Sequence, residues 1–310
     1  MLIFWVLFNL FALGLLVLDL TVVHRRGRVV GLRESLAWTA FYVLVTAAFA
    51  AFVYFWQGQH VALEFVTGYL LELSLSVDNL FIFLLIFNFF AVPEALQHRV
   101  LFWGIVGALV MRGVFIAAGV SLIARFHWVL FVFGALLIYS GIRLCFSSEQ
   151  RVNPAKNPVV RMVRRLIPVT QDYRGGKFLI RNAADGGKLY ATPLLVVLLV
   201  IETTDVIFSI DSIPAILAIT LNAFIVYTSN VLAIIGLRSL YFAVSGLMKV
   251  FRFLHYGLAL VLVLVGLKMI ASGRVEIPIT ATLGVVAAVL LTAIGLSVAF
   301  PAKDAAVTKP

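Results

Sequence analysis

The sequence predicts an all-α polytopic membrane protein of about nine transmembrane helices, six of which form an inverted repeat of three plus three helices. Three observations lead there. The 310 residues are 63% hydrophobic and only 12% charged, against about 25% charged in a soluble domain, and the mean hydropathy is +1.10. The apolar residues fall into runs long enough to cross a bilayer. A short acidic motif also occurs twice inside such runs, as Glu72-Leu-Ser-Leu-Ser-Val-Asp78-Asn79 and as Asp205-Val-Ile-Phe-Ser-Ile-Asp211-Ser212.

A spanning helix needs about 20 apolar residues. Runs of that kind lie near 2–22, 36–56, 61–90, 99–124, 128–146, 192–213, 215–246, 254–271 and 279–300. They fill residues 1–310 as a single membrane domain and leave room for one sizeable loop, at about 147–190. The first run lacks a basic leader and a small-residue cleavage site, so it reads as a helix and not as a removed signal peptide. The 61–90 and 215–246 runs are long for one span, which leaves room for tilt, a break or a re-entrant piece.

The net charge of +10 does not point to nucleic acid, and no such partner is expected. Lys and Arg lie between the apolar runs, as orientation signals do. Arg25, Arg26, Arg28 and Arg33 follow the first run. Arg151, Lys156, Arg161, Arg164, Arg165, Arg174, Lys177, Arg181 and Lys188 fill the 147–190 loop, and Lys249, Arg252, Lys303 and Lys309 fall on the same side. The opposite side has little beyond Arg125 and Arg274. The N-terminus is therefore expected outside and the C-terminus in the cytoplasm. Segment 158–168 alternates apolar and basic residues; it reads either as an amphipathic piece on the anionic leaflet or as a solvated basic loop. Cys145 is the only cysteine, which excludes an internal disulfide and argues against thiolate metal chemistry.

The two acidic motifs begin a longer match. Met111-Arg112-Gly113 and the residues after it resemble Leu237-Arg238-Ser239, and Gly141-Ile142-Arg143 resembles Gly266-Leu267-Lys268. Asp78 to Asp211, Arg112 to Arg238 and Arg143 to Lys268 are offset by 133, 126 and 125 residues. Repeat one covers about 61–146 and repeat two about 192–271, three spans each. Three is odd, so the second unit enters the membrane in the opposite sense. Secondary transporters are often built this way, with the substrate near the midplane where the halves meet.

A carboxylate at the bilayer centre costs roughly 2.5–3.5 kcal/mol and marks an ion or proton pathway by default. Five acids stand there: Glu72, Asp78, Glu202, Asp205 and Asp211. The other polar groups nearby (Ser74, Ser76, Thr203, Thr204, Ser209, Ser212, Asn79, Asn230) offer oxygen ligands, while all five histidines sit near span ends. Oxygen-only ligation suits a hard divalent cation such as Mg, Ca or Mn. At about 100° per residue, Glu72 and Asp78 point roughly 120° apart, as do Asp205 and Asp211. Either different acids serve different states or the helix is broken at the ion. Pro214 frees the Ile210 carbonyl beside Asp211 and favours the break.

Asp78 and Asp211 are thus the expected core ligands, supported by Asn79 and Ser212, with Glu72, Glu202 and Asp205 as secondary ligands or proton carriers. Arg112 and Arg238 are expected as counter-charges of the empty site. The alternative for each acid is a salt bridge to one of these arginines that only holds helices together. Asp19 reads as an interfacial residue, and Phe81, Phe83, Phe87, Phe89 and Phe90 as lipid-facing or packing surface. No Gly-rich phosphate loop, Ser/His/Asp set or haem motif occurs, so no enzyme and no cofactor are expected.

Segment 62–83, with its Glu72-Leu-Ser-Leu-Ser-Val-Asp78-Asn79 core, and Ile201-Glu-Thr-Thr-Asp-Val-Ile-Phe-Ser-Ile-Asp-Ser-Ile-Pro-Ala215 resemble the two signatures of the TerC family of integral membrane proteins, named for tellurium resistance. Segments 99–112 and 228–242 resemble its alkaline-induced (Alx-like) branch, and the resemblance runs from about residue 15 to 275. It implies a bacterial inner-membrane protein of nine spans, related to the lysine-exporter superfamily, and for this branch an association with manganese export. The family's important acids map onto Glu72, Asp78, Asp205 and Asp211, with Asn79 and Ser212 beside them. Ser209 stands where the family often has Ala. The resulting expectation is a Mn²⁺ exporter in the inner membrane, driven by proton exchange and working by alternating access. Ca²⁺ and Mg²⁺ are left open by the ligand chemistry, and oligomeric state by the sequence. A reading from a different class is a membrane scaffold or accessory protein in tellurite or metal stress, without ion flux of its own.

Overall fold

The computed structural model describes residues 2–19, 31–146, 160–162, 165, 167–182, 187–245, 253–272 and 277–300. Helices α1 (Leu2–Leu18), α2 (Leu32–Gln57), α3 (Gln59–Phe89), α4 (Glu94–Arg125) and α5 (Val129–Phe146) precede a small hairpin of β1 (Leu179–Asn182) and β2 (Lys188–Ala191). Then follow α6 (Pro193–Leu217), α7 (Ala223–Ile235), α8 (Leu237–Ser245), α9 (Leu254–Ala271) and α10 (Ile279–Ala299). Among the described residues, eight stretches are long and apolar enough to cross a membrane, α7 and α8 counting as one, and the 17-residue α1 is a shorter ninth. The protein is a polytopic helical membrane protein of about nine helices, as the composition predicts. Large apolar side chains such as Leu85, Val110, Val114, Phe131 and Leu291 point outward, where lipid replaces water as the solvent.

The turns between spans are short and locally specified. A single residue, Gly58, separates α2 from α3; its φ of +92° is open to glycine, and its N–H caps the Tyr54 carbonyl at 3.0 Å. Pro193 occupies the first turn of α6, where its missing N–H costs nothing. Asn222 caps α7 by accepting from the Phe224 N–H at 3.2 Å.

Helix directions reveal the inverted repeat. Gly104 faces Ile201 and Gly119 faces Leu217, so α4 and α6 run parallel. Gly68 faces Ser229, and Leu80 shares a cavity wall with Ile234 and Leu237, so α3 runs parallel to α7 and α8. Gly134 meets Gly266 while Gly141 meets Ala259, so α5 and α9 run antiparallel. Two units repeated in the same sense would set α5 and α9 parallel; only inversion gives this combination. The α5–α9 crossing is itself two-fold in sequence, because Gly134 and Ala259, and Gly141 and Gly266, share the offset of 125 residues. The backbones approach until a Cβ on Gly266 would stand 2.7 Å from the Gly134 carbonyl, and one on Gly134 2.9 Å from the Gly266 carbonyl. Small residues that admit such contact are how helices associate where lipid tails offer no hydrophobic drive.

Several expectations need correction. The helix is not broken at Asp211: α6 continues through Pro214 to Leu217. Pro214 falls in the final turn, where the loss of one bond to Ile210 is tolerated, and its own carbonyl accepts from the Ala218 N–H at 3.0 Å. The break lies instead in the 215–246 run, which turns at 218–222 and again at Gly236 between α7 and α8. The long 61–90 run is one helix of 31 residues; at about 1.5 Å per residue it exceeds a hydrocarbon core of about 30 Å and crosses with tilt or overhang. Part of the basic loop folds, as the β1–β2 hairpin paired Ile180 to Tyr190. The aromatic row divides, with Phe83 and Phe87 buried and Phe89 exposed.

The hairpin region docks on the α3–α4 turn. Tyr173 Oη donates to the Phe90 carbonyl at 2.6 Å and Arg99 Nη1 to the Gly176 carbonyl at 3.0 Å. Arg25, Arg26, Arg28, Arg151, Lys156, Arg164, Lys249, Arg252, Arg274, Lys303 and Lys309, on which much of the orientation expectation rests, lie outside the described residues, as do positions 158, 159, 163, 164 and 166 of segment 158–168.

The α5–α9 crossing yields a stability prediction. Gly266→Val drives a branched side chain into the Gly134 backbone; overpacking of this kind costs about 1–3 kcal/mol, enough to lower the apparent Tm of the detergent-purified protein by several degrees. Gly284→Ala, with nothing within 4 Å of the added Cβ, should leave the melt unchanged. Equal melts for the two variants would remove the close crossing as a structural constraint.

Candidate functional site

Helical periodicity places the polar residues on two faces. On α3, Glu72, Ser76 and Asn79 recur at intervals of four and three and are buried. On α6, Asp205, Ser209 and Ser212 follow the same spacing and are buried as well. Asp78 and Asp211 lie about 120° round from the first acid of each motif, and each is only partly buried. The six-residue spacing thus separates an inner acid from an outer one.

The inner faces converge on Arg112 of α4. Arg112 Nη1 forms an ion pair with Glu72 Oε1, and both side chains are about 98–99% shielded from solvent. The same nitrogen donates to Ser212 Oγ at 3.3 Å and to Asn230 Oδ1 of α7 at 3.2 Å. Asn230 Nδ2 returns a bond to Glu72 Oε2 at 2.9 Å, and Ser76 Oγ donates to Glu72 Oε1 at 3.2 Å. Arg112 Nη2 stands 3.6 Å from Asp205 Oδ1. Four helices from both repeat units therefore place two carboxylates, one guanidinium, an amide and two hydroxyls in one buried cluster. Both Glu72 oxygens are satisfied, whereas Asp205 Oδ2 and Arg112 Nε have no hydrogen-bond partner among the described residues.

The outer acids are not gathered there. Asp211 Oδ1 accepts from Ser140 Oγ of α5 at 2.6 Å, and Arg143 lies within electrostatic range of it. Lys268, the repeat mate of Arg143, is in the same way within range of Glu64 on α3. Asp78 and Asp211 therefore do not meet as one pair of core ligands, as the sequence suggested; the acids that approach each other are Glu72 and Asp205. The reason is the helical face: with α3 and α6 unbroken, a residue six positions from a core acid turns toward a different neighbour. Glu202 is half-buried against α4 at Gly107, where any Cβ would collide with its carboxylate. Among the described residues no three His, Cys, Asp or Glu side chains are gathered closely enough to share an ion.

Arg238 departs most from expectation. It is buried, but its partner is Asp19: Nη2 pairs with Asp19 Oδ2 and donates to the Asp19 carbonyl at 2.8 Å. Asp19, at the end of α1, is correspondingly buried at 2% exposure and paired, where the sequence reading gave it only an interfacial place. Nothing local in the sequence announces a partner 219 positions away. Asn230 and Ser140 also take larger parts than the sequence assigned. The signal for Asn230 was its amide inside an apolar span; for Ser140 it was the place just before the repeated Gly141-Ile142-Arg143.

Comparison with known proteins agrees with this architecture. Residues 57–305 match the family described as "Integral membrane protein TerC family". An "Uncharacterized membrane protein STKORF319" of Myxococcus xanthus is 44% identical over 286 residues, covering 92% of this chain and 89% of its own. A "Putative membrane-bound redox modulator Alx" of Escherichia coli (strain K12) is 42% identical over 287 residues, covering 89% of this chain and 88% of its own. An "Uncharacterized membrane protein" of Rickettsia bellii is 38% identical over 295 residues, covering 95% and 96%. No solved structure matches the chain.

The geometry predicts an asymmetric mutational response. Arg112→Met strands Glu72 without its counter-charge; removing one partner of a buried pair costs about 3–5 kcal/mol. Arg112→Met/Glu72→Gln removes the Arg112–Glu72 pair, leaving only Asp205 without the guanidinium, and should recover a substantial part of that loss. Thermal melts of the purified variants test this, and a wild-type melt for Arg112→Met alone would mean that Glu72 carries no charge in the folded protein.

Proposed function

The chain belongs to the TerC family of integral membrane proteins, and on that premise we propose that it is a secondary transporter exporting Mn²⁺ across the bacterial inner membrane in exchange for protons. The observation that carries this reading is the meeting of Glu72 and Asp205, one from each inverted unit, at the single guanidinium of Arg112. Acids from oppositely oriented units, joined at the interface between them, are what alternating access around a central site requires.

The chemistry of the donors supports a hard dication. Around the cluster stand the carboxylates of Glu72 and Asp205, the Ser212 hydroxyl and the Asn230 amide oxygen. Asp78, Asn79, Glu202 and Asp211 supply further oxygens on the same helices. Such ligands favour Mn, Mg or Ca. In the arrangement described, Arg112 stands where it neutralises the carboxylates without a metal. An entering dication must compete with that guanidinium, and protons serve the same neutralising purpose on the acids when the metal leaves. The outer acids Asp78 and Asp211 then act as the stations between the cluster and the ends of the bundle. No chemical conversion of a substrate is involved. The inner-membrane location, with the N-terminus outside and the C-terminus in the cytoplasm, belongs to the same reading.

A second reading draws on the folded hairpin and the segment just before it, whose Tyr173 bonds the Phe90 carbonyl after α3 and whose Gly176 carbonyl accepts from Arg99 of α4. Relatives carry a name that refers to redox modulation, and an exposed hairpin on a membrane bundle suits an accessory protein that acts through partners.

Proteoliposome flux separates the two. The transport reading expects Mn²⁺ movement that responds to an imposed pH gradient, with Mn²⁺ compared against Ca²⁺ and Mg²⁺, and near-complete loss in Asp78→Asn and in Asp211→Asn. Cells without other exporters should lose Mn²⁺ tolerance with the same variants. An accessory role expects no flux from the wild-type protein and an in-cell activity that survives loss of the carboxylates but not removal of the hairpin.

A further inference from the structure

The two repeat arginines occupy equivalent places but keep different company. Arg112 follows Met111 on α4 and binds Glu72, the inner acid of its own unit. Arg238 follows Leu237 at the start of α8, offset by 126 residues, and the inner acid of its own unit is Asp205, offset by 133 from Glu72. The repeat therefore defines an Arg238–Asp205 pair as the counterpart of Arg112–Glu72. That pair is not made. Arg238 is bound instead to Asp19 of the N-terminal segment, outside both units, and Asp205 leans across to Arg112.

What remains is a matched set of unmet groups. Arg238 Nε and Nη1 and Asp205 Oδ2 are buried and have no hydrogen-bond partner among the described residues. Both side chains line the same cavity, of about 20 Å³, together with Asn79, Leu80, Ala108 and Ile234. A space of that size holds about one water. Buried charged groups left with free donors and acceptors are rare in folded proteins, and here both halves of the missing pair face one void.

We propose that Arg238 is a two-position counter-charge. In the arrangement described it is latched by Asp19. In the alternative state its guanidinium crosses the cavity to Asp205, which releases Asp205 from Arg112 and makes the pair that the repeat defines. Inverted units interconvert by exchanging conformations, so each arginine in turn holds the inner acid of its own unit. Asp19, with no counterpart in either unit, biases which of the two states is occupied, because only a partner with different affinities for the two states can shift their balance. This exchange gives alternating access its charge movement and rests on the transport reading for its purpose. Its test reads ion-pair partners alone, so either can fail while the other stands.

The experiment is a pair of double-mutant cycles on the full-length protein in detergent, read as apparent Tm. One cycle combines Asp205→Asn with Arg238→Gln in the wild-type background; the other repeats them with Asp19→Asn. The expected result is near-additivity, within about 1 °C, while Asp19 is present, and a non-additive shift of at least about 2 °C once Asp19 is neutralised and Arg238 turns to Asp205. Additivity in both backgrounds would assign Arg238 to Asp19 alone and overturn the exchange. Equal coupling in both would overturn it too, because Arg238 would then serve both acids at once. Where Arg238→Gln yields no folded protein, Arg238→Lys supplies the same cycle with the charge kept and the forked donor lost. Asp19→Asn alone should still fold, since Arg238 has a second acid to take; its failure to fold would also count against the proposal.

Discussion

A guanidinium buried among apolar helices dictates much of this structure. Arg112 cannot be left without acceptors, because no water reaches it and an unpaired charge in a low-dielectric interior is costly. Glu72, Ser212, Asn230 and Asp205 meet that demand from three different helices. Apolar packing between membrane helices tolerates sliding and rotation, since one lipid-like surface resembles another. Hydrogen bonds from a forked cation do not. Once Arg112 is placed, the rotation of α3 follows from Glu72, that of α6 from Asp205 and Ser212, and that of α7 from Asn230. The cluster thus acts as a registration point for both repeat units, whatever it later binds.

The opposite demand governs the other side of the bundle. Between α5 and α9 no ion pair among the described residues brings the helices together, and association depends on how closely the backbones approach. Gly134 and Gly266 bring carbonyls within reach of each other's Cα, and Gly141 packs on the Ala259 backbone. A smooth, glycine-lined crossing holds by contact area and can rotate without breaking bonds. A polar cluster has discrete partners and cannot rotate without exchanging them. One contact suits a pivot and the other a set of defined stops. Their combination in one pseudo-symmetric bundle is what a rocking motion between two inverted units needs.

How much of this was legible in the sequence varies with the range of the interaction. The spans are written in composition, and the inversion follows from an odd number of spans between matching motifs, so both survive in the structure. The angle between Glu72 and Asp78 is fixed by helix geometry; it left a choice between a broken helix and acids that face different places, and with α3 unbroken the second remains. Which acid meets the partner unit was not legible, because two faces of an apolar helix carry no label saying so; in this arrangement Glu72 and Asp205 meet at Arg112. The break expected at Pro214 failed for a related reason: a proline's effect depends on whether the helix continues for several turns beyond it, and here it ends within one. Asp19 was out of reach altogether. Its burial depends on Arg238, and no periodicity links positions in α8 to the end of α1.

The symmetry of the repeat and the asymmetry of its charges need to be considered together. Glu72 and Asp205 are equivalent by position, yet one has every oxygen satisfied and the other retains an unpartnered oxygen beside a cavity. If the two units were energetically equal, a monomer would have no reason to prefer this arrangement over its mirror across the repeat axis. Something outside the units must tilt the balance, and the only acid among the described residues that bonds a repeat arginine from outside is Asp19. The N-terminal helix is then more than lipid-facing surface. In the proposed exchange it carries the charge that makes two interchangeable halves unequal, and for the proposed transport a bias of this kind has to be small. A bias much larger than the energy of one buried ion pair would freeze the bundle in a single state, and a single state cannot carry an ion from one side of a membrane to the other.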